Sequence, residues 1–151
     1  MEKMKEALKD LIIRLEDAHK GYIEVKNGIS SGKLRSWMEQ FAYERKKFQQ
    51  ELEECLHQLG GSADVETSFL GELHRSFIAF KLNNISNDYE AVFNEIERGS
   101  DVLINDYEKV LSEIKYPLYI ETKLKLQKNM IKDEIKSLRK IKEELMTESV
   151  S

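Results

Sequence analysis

Cysteine occurs once in this chain, at Cys55, so no disulfide can form within it and no cysteine-built zinc site exists. A reducing compartment, the cytoplasm, is the expected setting. Proline also occurs once, at Pro117, and glycine seven times, too few turn-formers for a sheet of many short strands. Long apolar runs are missing. None approaches the roughly 20 residues that cross a bilayer, so no membrane span is expected. The opening residues, Met1-Glu2-Lys3-Met4-Lys5-Glu6, lack the apolar stretch of a secretory signal. A large net charge is missing too. At −4 the whole molecule is no electrostatic partner for nucleic acid.

What remains is helix-forming. Charged residues make up 34% of the 151 positions and hydrophobic residues 40%, the balance of amphipathic helices around one core. A single helical-bundle domain over 1–151 is expected, with 146–151 frayed. A first helix over about 3–26 carries Met4, Leu8, Leu11, Leu15, Ala18, Tyr22 and Val25 at steps of three and four. The loop Asn27-Gly28-Ile29-Ser30-Ser31-Gly32 turns the chain back. A second helix over about 33–59 carries Leu34, Trp37, Met38, Phe41, Phe48, Leu52, Cys55 and Leu59, and Gly60-Gly61 ends it. A short helix near 68–82 and a turn at 83–87 follow, with Ser86 or Asn87 as the next cap.

A third long helix over about 88–114 carries Tyr89, Val92, Phe93, Ile96, Ser100, Leu103, Tyr107, Val110, Leu111 and Ile114. Pro117 suits the first turn of a fourth helix, which carries Ile120, Leu124, Ile131, Ile135, Leu138 and Leu145. Each long helix measures roughly 40 Å. Two antiparallel pairs joined by a long, partly helical connection predict an all-α fold. Its form is a ferritin-like four-helix bundle with a crossover between helices 2 and 3. An up-down bundle with a fifth helix on its side is the alternative.

The third and fourth helices carry opposite charge. Residues 88–113 hold eight acids against Arg98 and Lys109, and residues 115–142 hold nine bases against Glu121, Asp133 and Glu134. Complementary neighbours in one bundle account for the basic run better than a nucleic-acid or anionic-lipid surface does.

A carboxylate-bridged metal pair in such a bundle needs Glu-x-x-His on two helices and a further Glu on each of the others. Two such pairs occur, Glu16/His19 and Glu54/His57. The first turn is centred near residue 30, which sets Glu16 level with Glu44. Glu54 then lies about ten residues away, roughly 15 Å along the axis, and the two pairs cannot share a metal. The second turn is centred near residue 116, which sets Glu97 level with Glu134. His19, Arg45 and Gln127 turn into the apolar face, with the four glutamates at its edges.

A polar layer at mid-bundle is therefore expected, and two accounts of it stand side by side. One is a structural network in which Arg45 and His19 pair with carboxylates and no residue is catalytic, cofactor-binding or metal-binding. The other is an iron or manganese site built from Glu16, His19, Glu44, Glu97 and Glu134, which the fixed cation Arg45 opposes. His74 has no second ligand at helical spacing. Cys55 reads as a core residue, and Ser30-Ser31-Gly32-Lys33 lacks the strand and glycine spacing of a phosphate loop.

Several motifs carry a resemblance: Asp17-Ala18-His19-Lys20-Gly21-Tyr22; Phe41-Ala42-Tyr43-Glu44-Arg45 through Leu59-Gly60-Gly61; Gly71-Glu72-Leu73-His74-Arg75; and Glu97-Arg98-Gly99-Ser100-Asp101 followed by Tyr107. Over roughly residues 11–111 the chain resembles a bacterial family of ferritin-like helical-bundle proteins classed as a domain of unknown function. The resemblance implies a ferritin-like fold with no established activity. Iron-binding members of the wider ferritin-like group place Glu-x-x-His on helices 2 and 4. Here Lys47 follows Glu44 at that spacing and Ser137 follows Glu134, and Leu15 stands where those relatives place a glutamate. These departures argue against ferroxidase, peroxidase or oxygenase chemistry. The expectation is a non-enzymatic bundle acting through an unidentified protein partner and as a homo-oligomer, a homodimer first, in a stress-related role.

Overall fold

The computed structural model describes residues 1–29, 32–62 and 89–150 (without the side chains of Tyr89, Leu145, Met146, Glu148, Ser149 and Val150). Its helices are α1 (Glu2–Asn27), α2 (Gly32–Gln58), α3 (Tyr89–Glu113) and α4 (Leu118–Val150). No strand occurs among the described residues, so the all-α reading holds. The chain divides into two compact units, Met1–Ser86 and Asn87–Ser151. The first holds α1 packed on α2, and the second α3 packed on α4. The expected helix near 68–82, the turn and cap at 83–87, and His74 lie outside the described residues.

In the first unit the predicted stripes are the buried faces. Leu8, Leu11, Leu15, Ala18, Tyr22 and Val25 of α1 meet Leu34, Met38, Phe41, Phe48, Leu52 and Cys55 of α2. Ile12 and Leu56 widen these stripes. Each fully buried aliphatic or aromatic side chain contributes about 1.5–3 kcal/mol relative to exposure. Met4, Trp37 and Leu59 are half-buried rather than core. Met4 and Leu59 sit near helix ends, where fewer neighbours cover them.

Both ends of α1 carry suitable charge, Glu2 in the first turn and Lys26 in the last. The chain leaves it at Gly28, whose N–H donates to the Val25 carbonyl at 3.1 Å, and Ile29 is buried in the turn. The end of α2 is a Schellman cap. Gly61 N–H donates to the Leu56 carbonyl at 2.9 Å and Gly60 N–H to that of His57 at 2.9 Å. Gly60 has φ +82°, a conformation that costs a side-chain-bearing residue about 1–2 kcal/mol. A Cβ on Gly61 would come within 2.9 Å of Leu56 Cγ, so both glycines of the pair have a reason.

In the second unit Val92, Phe93, Ile96, Leu103 and Tyr107 of α3 are buried, as are Ile120, Leu124, Ile131, Ile135 and Leu138 of α4. Val110, Leu111 and Ile114 are half-buried, near the turn end. Residues 114–117 form that turn. The Pro117 carbonyl accepts from the N–H groups of Ile120 and Glu121, both at 3.0 Å. Proline therefore caps α4 from just outside rather than occupying its first turn, a position where its missing N–H costs the helix nothing. α4 runs on through the residues expected to fray, to Val150. Near its end the Thr147 hydroxyl donates to the Glu143 carbonyl one turn back, at 2.8 Å.

Candidate functional site

The polar layer exists in the first hairpin and is centred on Arg45. This arginine is 1% exposed, the largest fully buried side chain in the described core. Its guanidinium carbon lies 5.4 Å from the Tyr22 ring centroid and 5.8 Å from that of Phe48. Both are cation–π distances. Tyr22 in turn meets Phe41 at 5.6 Å between centroids, and Phe41 meets Trp37 at 5.7 Å. Aromatic faces and helix stems thus surround a charge that water cannot reach. Asp17 and Gln49 are also buried here. Sequence reasoning missed both. Asp17 stands about level with Arg45 across the hairpin, and an acid at that level was the available signal.

Glu16 and His19 lie one turn apart on α1 and both reach α2, but to different atoms. Lys46 Nζ donates to Glu16 Oε2 at 2.9 Å, and Lys20 Nζ approaches Glu16 Oε1 at 3.7 Å. Partial burial alone would raise the Glu16 pKa. The bond and charge of Lys46 outweigh it, helped by Gln49 and Lys20, and hold the carboxyl below the usual glutamate range. His19 Nδ1 lies 2.7 Å from the Ala42 carbonyl oxygen. A carbonyl only accepts, so this nitrogen carries the proton and ties α1 to the α2 backbone. Glu44 is half-buried on α2. Glu54 and His57 are exposed, as their place near the hairpin end predicts.

The second hairpin has its own buried polar pair. Tyr107 O–H donates to Gln127 Oε1 at 2.6 Å, with the two residues 0% and 1% exposed. Gln127 was expected inside, but the Tyr107 hydroxyl was read only as packing. Glu97 meets Arg139, whose Nε donates to Oε1 at 2.7 Å, rather than lying against Glu134. The reason is the lean of helical side chains towards their own N-terminus. In an antiparallel pair this lean joins residues that sit several positions apart in backbone level. Lys142 with Asn94 at 3.2 Å shows the same offset, and Lys132 with Glu108 at 3.2 Å a larger one in the same direction. Glu134 is half-buried.

Of the candidate ligands, then, Glu16 and His19 reach α2 at Lys46 and Ala42, Glu44 stands on α2 in the same unit, and Glu97 and Glu134 belong to the other. Among the described residues no three His, Cys, Asp or Glu side chains converge as metal ligands do. Glu16 and Glu97 are instead paired with protein cations, each pair bridging the two helices of its own hairpin.

The family model described as Domain of unknown function (DUF2383) matches residues 3–113. The chain belongs to this family. The DUF2383 match spans α1, α2 and α3 and stops at Glu113, so α4 lies beyond it. No curated protein and no solved structure matches the chain. Within the DUF2383 span lie Arg45 and the Glu16–Lys46 pair, while Gln127 and Arg139 are supplied by α4.

Proposed function

We propose that this DUF2383 chain is a non-enzymatic, ferritin-like bundle protein that works through protein–protein contacts, self-association among them. One observation carries the reading: two of the carboxylates nominated as ligands, one in each hairpin, are engaged by the protein's own cations. Lys46 and Lys20 hold Glu16, and Arg139 holds Glu97. A carboxylate already neutralised in this way is a poor ligand for a second cation. The other reading is a carboxylate-rich iron or manganese protein with a redox or storage role. Its candidate ligands are Glu16, His19, Glu44, Glu97 and Glu134.

Two measurements on the full chain test the proposal. After incubation with Fe(II), Mn(II) or Zn(II) and exhaustive desalting, elemental analysis is expected to find no stoichiometric metal. Metal retained by the wild type and lost in Glu44→Ala would replace this reading with the metal-binding one. Light scattering over a micromolar concentration series is expected to show a mass above the monomer. A monomer throughout would remove self-association.

A further inference from the structure

Three of the large hydrophobic residues that stand exposed among the described residues lie together at one end of α4. Leu118 is 76% exposed, Tyr119 50% and Leu126 53%. At about 100° per residue, Leu118, Thr122 and Leu126 fall within roughly 80° of arc, with Tyr119 beside them. They form a seam about 12 Å long on the first three turns. Past Leu126 the exposed positions are Asn129, Lys132, Asp133 and Lys136, so the apolar strip ends there.

We propose that this strip is where two copies of the chain pair, α4 against α4, antiparallel about a two-fold axis at Thr122. The inference rests on the self-association reading above and names its surface. Charge decides the direction. Glu121 and Lys125 border the seam on the flank away from Tyr119 and pair within the helix at 2.7 Å. An antiparallel two-fold brings Glu121 of each copy against Lys125 of the other. A parallel two-fold would set the Glu121/Lys125 flank of each copy against the Tyr119 flank of the other, where these reciprocal pairs cannot form. The antiparallel register also places Leu118 and Tyr119 against Leu126 of the second copy. Reciprocal contacts of this kind are what an isologous interface requires.

An anionic bilayer fits the same strip less well. Glu121 borders it, Asp133 follows on the same face of α4, and the chain carries net −4. Few apolar side chains take part from each copy, so the interface belongs to the small, transient class, with Kd on the order of micromolar.

The test follows the mass of the full chain by sedimentation velocity through the micromolar range, for the wild type and Leu126→Asp. A reversible monomer–dimer equilibrium weakened roughly tenfold or more by the variant is expected. Helical circular dichroism should be unchanged, since Leu126 is exposed. Independently, Thr122→Cys should form an intermolecular disulfide on mild oxidation, because the axis brings the two copies of that position together. Gln50→Cys, on the exposed face of α2, should not. A dimer unaffected by Leu126→Asp, with no Thr122→Cys cross-link, would overturn this surface and leave self-association standing. A wild-type monomer at every concentration would overturn both.

Discussion

The hydroxyl of Tyr107 shows how much one buried polar atom can ask of its surroundings. It donates to Gln127 with neither residue in contact with water. Tyr107→Phe keeps the ring and removes that bond, leaving Gln127 Oε1 without its Tyr107 donor. A loss of about 1–2 kcal/mol is expected, read as a lower urea midpoint with unchanged slope. Adding Gln127→Leu should recover part of it, because removing both partners costs less than removing one. Arg45 poses the same demand with a full charge, met in part by the faces of Tyr22 and Phe48. Its burial was legible from helical phase alone. Asp17 and Gln49 were not, since each falls beside a stripe rather than on it, and width of stripe depends on how a partner helix packs.

Between elements, the Lys46–Glu16 pair joins α1 to α2 and makes the first hairpin sensitive to acid. An unfolded glutamate titrates at about pH 4.3, and Glu16 in the folded chain titrates lower. Its contribution is therefore complete above the unfolded value and disappears as pH falls through the folded one. Glu16→Gln should be less stable than wild type at neutral pH. The two should converge as pH is taken below about 4 in urea titrations. The four helices, their order and their faces were readable because apolar residues recur at steps of three and four along each. Helix ends were readable where chemistry marks them, as at Gly60-Gly61. The partner of Glu97 was not. Backbone level pointed to Glu134, and only the lean of the side chains brings Arg139 to it.

On the scale of the whole molecule, α4 completes what the family span begins. The DUF2383 match ends with α3, whose seven acids face two bases within its 25 residues. The apolar face of α3 and two of its acids, Glu97 and Glu108, find their partners on α4. A chain ending at Glu113 should therefore lose more helix by circular dichroism than the 33 residues of α4 account for. Most helical stability in a protein comes from packing of an amphipathic face, and α3 would unwind once that face is uncovered. A loss matching α4 alone would show that residues 1–113 are self-sufficient. The metal candidates were legible as a set of acids near one level, but whether cations or metals answer them depends on the long side chains of Lys46 and Arg139. Periodicity does not report where those side chains reach.

The two turns that close these hairpins are short, four residues between α1 and α2 and four between α3 and α4. Pairing can therefore start beside each turn, between residues close in sequence, and proceed outward to contacts as far apart as Lys142 and Asn94. Little entropy is spent in bringing the first of them together, and low contact order goes with folding in microseconds to milliseconds. Both helices of the first hairpin are complete by Gln58, so on the ribosome it can start to form while α4 is still unmade.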